Sequence, residues 1–454
     1  MNSVTRYETM STIDLALLIV YALICIVLGI YGSRKQKADD FLIADRKLGF
    51  WGFTFSVLAS YIGGSALVAY SAFVYQFGIS AITLFLGTSV GFLLFIRYAY
   101  KIRLLGKEKQ FLTLSDWFFQ HFNRQTGILS AIIMLFVYLG LLMNQFIAGS
   151  SILASISGWS YEYSLLFSGL VILIYLTLGG FRSVIRTDIF QYLVLIVLFA
   201  VFVFVLYNDS GIKVAKLFET GEINITMTIG FIVYGLLSVF YSSEYWQRIY
   251  AANDNRTIKK GFTYSAVLIV LTGFVLSLIG LYAKVHIPGI EARDALALGL
   301  AEIFPKSILG LGLVLIFAAI MSSADTMIFV LATSISKDFI AQLKPAYKNP
   351  HKLAKLTRIF ITIISVISLI SAYFFRDIVT VVLTIAGVGF AIVPAVFASF
   401  HWKIKNSAAF ASLFSGSIYV LVLIATDTLI SELAVASFVV SGLVLLIFQK
   451  LAKK

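Results

Sequence analysis

Two stretches of this 454-residue chain set oxygen-bearing side chains amid apolar sequence. In the first, Ser60-Tyr61-Ile62-Gly63-Gly64-Ser65, paired glycines stand between hydroxyls. The second, Ala318 to Thr326, reads AAIMSSADT and carries Asp325 with Ser322, Ser323 and Thr326. Hydroxyls, and backbone carbonyls freed by a break in a helix, bind a hard cation loosely enough to release it. Close helix packing is the duller account of such small and hydroxyl residues. Asp325 argues against packing alone, because a carboxylate inside a membrane is expensive and faces a cavity, an ion or a partner. It follows Ser322 by three residues, so the two share one helix face. Asp188 stands near Arg182 and Arg186 and reads plainly as a loop acid paired with one of them. Glu244 precedes Arg248 by four residues, the spacing of an ion pair along one helix face.

Catalytic chemistry finds no comparable foothold. His121, His286, His351 and His401 all fall in loops or at the ends of apolar runs. No His, Cys and carboxylate cluster suits a transition metal, and no hydroxyl–base pair is evident. The chain therefore reads as no enzyme, with no catalytic residues and no cofactor. Cys25, the single cysteine, lies within an apolar run and forms no disulfide within the chain. The net charge of +13 resides in loop lysines and arginines, without the basic helix or aromatic platform of a nucleic-acid binder.

The elements that must position these residues are membrane helices. Hydrophobic residues make up 60% of the chain and charged residues 13%, far below what a soluble surface carries. Apolar runs of about 20 residues recur throughout, each long enough to cross the hydrocarbon layer, where a segment must satisfy its own backbone. The count is about thirteen spans in one all-α integral membrane domain, 1–454. The second, near Phe50–Phe77, is broken in the middle; the fifth and sixth lie near Tyr163–Leu178 and Ile189–Tyr207; the ninth carries Asp325; the eleventh runs near Ile378–Phe400. Basic residues cluster in Ser33–Gly49, Lys101–Gln125, Arg248–Lys260, Lys337–Arg358 and the terminal KLAKK. Those loops face the cytoplasm, which puts the N-terminus outside and the C-terminus inside a multi-pass protein of the cell (inner) membrane. An extra helix and loop (1–49) precede two five-span blocks (50–207 and 227–400), and two helices (406–454) follow. Blocks with an odd number of spans insert in opposite senses, the arrangement of an inverted repeat with its sites near the midplane.

Four motifs, in order, resemble the sodium:solute symporter family over nearly the whole chain. Residues 179–191, GGFRSVIRTDIFQ, are similar to its signature GG-x-x-A-V-x-W-T-D-x-x-Q, with Arg186 where the family has tryptophan. Residues 247–261, QRIYAANDNRTIKKG, resemble its QR-x-x-A-A-K segment. Residues 318–326 with the following SKDF (336–339) look like its ion-binding helix, and Ala59–Ser65 with Tyr75–Gly78 like its discontinuous helix and the turn after it. The resemblance implies a five-plus-five inverted-repeat fold with one helix before and two after. It implies a sodium site made by the carbonyls of Ala59, Ile62 and Ala319 with the hydroxyls of Ser322 and Ser323. In some members a second ion site adjoins the first, at positions matching Asp188, Ser322, Asp325 and Thr326; an arginine at 186 would compete there for Asp188.

The function so implied is sodium-driven uptake of a small polar solute by alternating access, with Na+, the solute and the bilayer as partners. Proton coupling through Asp325 and Asp188 is the alternative, and a non-transporting membrane sensor on the same fold a further one. Ala66, where sugar transporters of the family carry glutamine, disfavours a sugar. The nominated solute walls are Ser65, Ala69 and Tyr70 on the broken helix, with Tyr241, Ser242 and Glu244. Single cysteines placed in a Cys25→Ala background test the orientation. An impermeant thiol reagent on intact cells should label position 289 and spare positions 35, 107 and 454; labelling of 107 from outside reverses the topology.

Overall fold

A computed structural model describes residues 11–31, 33–208, 225–304, 309–374 and 385–451, and every regular element among them is helical. In chain order these are α1 (Thr12–Ile30), α2 (Ala38–Ile43), α3 (Phe50–Tyr61), α4 (Gly64–Phe77), α5 (Thr83–Glu108), α6 (Leu114–His121), α7 (Arg124–Ser157) and α8 (Tyr161–Asn208). Then follow α9 (Ile225–Tyr241), α10 (Ser243–Ala251), α11 (Asn255–His286), α12 (Ala295–Ile303), α13 (Leu309–Ser334), α14 (Pro350–Phe374), α15 (Val393–His401), α16 (Asn406–Ala425) and α17 (Ser431–Leu451). Polar side chains start three of the long helices where loop gives way to apolar sequence. Ser11 and Asp14 form a capping box on α1, Asn123 Oδ1 accepts from Thr126 N at 3.0 Å on α7, and Asp254 Oδ1 accepts from Thr257 N at 2.6 Å on α11.

Among the described residues nine helices are long and apolar enough to cross a membrane, or ten when α9 and α10, bent by 49° across Ser242, count as one. About thirteen were expected, and three features account for the smaller number. The 48 residues of α8 would rise roughly 70 Å, more than twice a hydrocarbon core. That helix breaks at Gly180 (φ 57°, ψ −145°), between the expected fifth and sixth spans. The second expected span is divided into α3 and α4. The eleventh falls partly on 375–384, outside the described residues, leaving a shorter apolar helix at Ile385–His401. The expected loop around residues 181–188 is helix, so Asp188 lies inside α8.

Two solvents organise the packing. Leucine, isoleucine and phenylalanine side chains stand exposed along α1, α5, α8, α14 and α17, as hydrocarbon allows. The most apolar stretch of α13 is buried completely, against α1, α7, α8 and α14. α13 is therefore the axis around which the oxygen-bearing residues gather. Glycine permits the closest approaches: a Cβ on Gly87 of α5 would stand 2.2 Å from the Ile232 carbonyl oxygen of α9.

Gly180 occupies a backbone region essentially confined to glycine, and a Cβ there would also stand 2.4 Å from Phe41. Gly180→Ala should lower stability by about 1–3 kcal/mol. Gly230→Ala, in a helix and with nothing within 4 Å, should leave it unchanged or raise it. Melting temperatures of both variants in detergent check the contrast.

Candidate ion and solute site

The break between α3 and α4 follows from its glycines. Ile62 leaves helical geometry (φ −88°, ψ 68°) and α4 restarts at Gly64. A Cβ on Gly63 would stand 2.4 Å from Gln145 Nε2 of α7 and 2.6 Å from Ser323 Oγ, and one on Gly64 2.2 Å from Ile320 Cγ1. Without side chains at those two positions, α7 and α13 press directly on the break. Ser322 Oγ stands 3.0 Å from the carbonyl oxygens of both Ala59 and Ala319. Ser323 Oγ donates to the Ser60 carbonyl at 3.2 Å. Ala59, Ile62, Ala319, Ser322 and Ser323 are all buried. The structure thus gathers neutral oxygens from two helices around one junction, the ligand type a hard cation takes.

Beside this junction lies a charged network centred on Arg248, which is wholly buried. Its Nε donates to Ser56 Oγ (2.8 Å) and its Nη1 to the Glu244 carbonyl oxygen (3.2 Å). Its Nη2 reaches Ser60 Oγ (2.6 Å), Asp188 Oδ2 (3.0 Å) and Thr326 Oγ1 (3.1 Å). Ser56 Oγ donates to the same Asp188 oxygen at 2.5 Å. Three sequence readings change here. Asp188 pairs with Arg248; Arg182 instead pairs with Asp40, and Arg186 donates to the Tyr31 carbonyl. The i,i+4 pair of Glu244 with Arg248 does not form through the carboxylate, which accepts from the Tyr138 hydroxyl. Arg248, assigned to a basic loop, is core: desolvating a guanidinium is tolerable only with a full set of acceptors, and distant segments supply them.

Asp325 lies on the α8 side of α13. Its Oδ2 accepts from the Tyr175 hydroxyl at 2.7 Å and lies 3.2 Å from Thr187 Oγ1. Its Oδ1, like Oδ1 of Asp188, is buried with no hydrogen-bond partner among the described residues. Thr326 Oγ1 lies 3.3 Å from Ser60 Oγ. The expected second-site residues Asp188, Ser322, Asp325 and Thr326 are therefore brought to one region, with Arg248 already on Asp188.

The solute candidates divide. Tyr241, Ser242 and Glu244 meet at the bend between α9 and α10, where Ser242 Oγ donates to the Ser238 carbonyl at 2.8 Å and Tyr241 packs on Phe390 with ring centroids 5.5 Å apart. Tyr70 turns to α11, its hydroxyl 2.7 Å from Ser277 Oγ and 3.1 Å from the Gly273 carbonyl. Ala69 is half-buried on α4; the side chain of Ser65, on the same helix, lies outside the described ones. Sequence reasoning overlooked Ser56, Tyr138, Gln145, Tyr175 and Thr187. A signal existed for Ser56 and Ser60, hydroxyls four residues apart on one face of an apolar run. None existed for the tyrosines, since a phenol in a membrane helix reads equally well as packing.

The family model described as "Sodium:solute symporter family" matches residues 41–416. The chain belongs to that family. Its members are transporters, not enzymes, and sodium-coupled movement of a solute across the membrane is the function the family carries. The symporter is similar to the sodium/pantothenate symporter of Haemophilus influenzae, 24% identical over 78% of each chain. It is equally similar to the sodium/proline symporter of Staphylococcus aureus, at 24% over 96% of this chain and 92% of the relative. Its fold matches that of a Na+-coupled sialic acid symporter solved in a substrate-bound outward-open state, with TM-score 0.85 and 17% identity over 97% of this chain and 98% of the other. The nucleobase-cation-symport-1 transporter Mhp1 follows at TM-score 0.58 and 13% identity, over 90% and 95% of the two chains.

Removing one partner of a buried ion pair strands the other. Arg248→Met should therefore lower the symporter's stability by about 3–5 kcal/mol, and adding Asp188→Asn should restore part of the loss. Thermal unfolding of the two singles and the double variant checks this; a double variant no better than Arg248→Met alone would show the pair to be uncoupled.

Proposed function

We propose that this symporter takes up a small polar solute by coupling it to inward sodium movement through alternating access. The observation that carries the reading is the meeting, at the break between α3 and α4, of the Ser322 hydroxyl with the Ala59 and Ala319 carbonyls and of the Ser323 hydroxyl with the Ser60 carbonyl. Sodium bound by Ala59, Ile62, Ala319, Ser322 and Ser323 would tie α13 to the broken helix. An ion that holds those helices together in one conformation and not in the other biases the equilibrium between them. The driving force is adequate: a single charge crossing 100 mV yields about 2.3 kcal/mol, and a tenfold sodium gradient adds about 1.4 kcal/mol. One ion per cycle then sustains roughly 500-fold accumulation of a neutral solute.

The same reading has thirteen spans, with α8 counted as two, and two inverted five-span blocks flanked by one helix before and two after. It keeps the N-terminus outside and the C-terminus in the cytoplasm. Asp325 and Thr326, beside Asp188, form the second cation position. A proton on Asp325 is the rival occupant, supported by the same geometry: its neighbours are a phenol and a hydroxyl, while the buried guanidinium of the region sits on Asp188. The relatives named for pantothenate and proline make a small polar metabolite the solute class.

Sodium binding to the full chain, read as a sodium-dependent rise in melting temperature against potassium, tests the first site. Ser322→Ala with Ser323→Ala should raise the sodium concentration needed by tenfold or more. Asp325→Asn should lower the cooperativity of the sodium response if Asp325 holds a second sodium, and abolish its pH dependence if it holds a proton. A wild-type response equal in potassium and sodium would sink the sodium assignment.

A further inference from the structure

The region of Arg248 and the bend between α9 and α10 holds more buried carboxyl groups than buried cations among the described residues. Asp188, Glu244, Asp325 and Arg248 are all buried, and Asp325 faces Tyr175 and Thr187. Asp188 takes the Arg248 guanidinium. Asp325 adjoins the proposed ion positions, where a coupling cation or proton answers its charge. Glu244 is left over. Arg248 bonds it at the backbone carbonyl oxygen and acts on its carboxylate from beyond ion-pair distance; the carboxylate itself accepts from the neutral Tyr138 hydroxyl and also interacts with Ser242. Its own N–H points at the same hydroxyl, at 3.4 Å. The N-terminus of α10, on whose first turn Glu244 sits, contributes roughly half a positive charge, which leaves part of the carboxylate unanswered. An acid that served only to start that helix would do so equally well at the aqueous edge, without the desolvation of this position.

The surroundings of Glu244 are also incompletely bonded. Gln247 follows by three residues and so shares its helix face. Gln247 is buried, and neither Oε1 nor Nε2 has a hydrogen-bond partner among the described residues. The hydroxyl of Tyr245 is likewise buried and without one. Tyr241 lies just across the bend. A carboxylate flanked by phenols offers a positively charged nitrogen both an ion pair and aromatic faces, and a free amide beside it can bond a carboxylate or carbonyl of the same molecule.

From this arrangement we propose that Glu244 anchors a protonated nitrogen of the transported solute, which makes that solute a small organic ammonium compound, zwitterionic where Gln247 bonds its carboxylate. This inference rests on the reading that the chain moves a small polar solute with sodium, and it assigns the solute's charge. A neutral or purely anionic solute would leave Glu244 uncompensated in the bound state.

The test uses the purified full chain in sodium and shape-matched solute pairs that differ in whether a cationic nitrogen is present. L-Proline is paired with tetrahydrofuran-2-carboxylate, L-alanine with L-lactate, and 4-aminobutyrate with 4-hydroxybutyrate. Thermal stabilisation should appear only with nitrogen-bearing members. Glu244→Gln should weaken it at least about tenfold, the loss of one charge-assisted contact, while Glu244→Asp keeps most of it. Stabilisation by sodium alone, measured first on every variant, reports folding and the ion site separately. It should survive in Glu244→Gln, and its absence in the wild type would count against sodium coupling while leaving the solute result to stand by itself. Equal stabilisation by an oxygen analogue, undiminished binding in Glu244→Gln, loss of the sodium-alone effect in Glu244→Gln, or silence from every nitrogen-bearing solute would overturn the proposal.

Discussion

A guanidinium in the middle of a membrane protein has to be surrounded before the helices around it can close, and Arg248 is surrounded by four of them. It bonds Ser56 and Ser60 of α3, Asp188 of α8, the Glu244 carbonyl of its own helix α10 and Thr326 of α13. Isolated in hydrocarbon this charge would cost several kcal/mol after relaxation, so each acceptor is a condition on the fold. A shift of any of these helices by the length of a hydrogen bond leaves a donor or an acceptor bare. The relative placement of α3, α8, α10 and α13, the helices that supply Glu244 and every candidate ion ligand but Ile62, is thereby tied to one side chain.

The breaks in the helices serve the same constraint from the other direction. Irregular backbone within a membrane is tolerated only where protein or a cavity meets the freed polar groups. At Ile62–Gly63 the hydroxyls of α13 meet them, and Gly63 and Gly64 allow the contact because a Cβ on either would collide with α7 or α13. At Ser242 the chain bends by 49° and presents Glu244 at a helix start. At Gly180 it takes a conformation essentially confined to glycine, which bends α8 and carries Thr187 to Asp325 of α13 and Asp188 to Arg248 of α10.

Arg248 also touches both halves of the proposed machinery. Its Nη2 lies among Ser60, Asp188 and Thr326 on the ion side, while its Nη1 holds the first turn of α10 on the solute side. An ion that redistributes the hydrogen bonds of Ser60 or Thr326 acts on the same planar group that fixes the backbone of Glu244. That is a short physical connection between cation and solute, through one rigid side chain.

The all-helical membrane character was legible in the chain, because apolar runs of span length have only one way to satisfy their backbone in hydrocarbon. The break at Gly63–Gly64 and the polar face of α13 were legible too, since paired glycines and a cluster of hydroxyls stand out against apolar residues. The grouping of Ala59, Ala319, Ser322 and Ser323 came from motif resemblance; the geometry puts the Ser322 hydroxyl on the Ala59 and Ala319 carbonyls, while the Ser323 hydroxyl bonds the carbonyl of Ser60, which the motif did not name. The partner of each charge was not legible. Local spacing pointed Asp188 to Arg182 or Arg186 and Glu244 to Arg248, whereas Asp188 bonds an arginine sixty positions away and Glu244 a tyrosine on α7. Spacing along one helix governs pairs at exposed surfaces, where water solvates whatever remains unpaired. In a dry core the pairing is chosen by which distant helices must close around each charge, and only the assembled tertiary structure decides that.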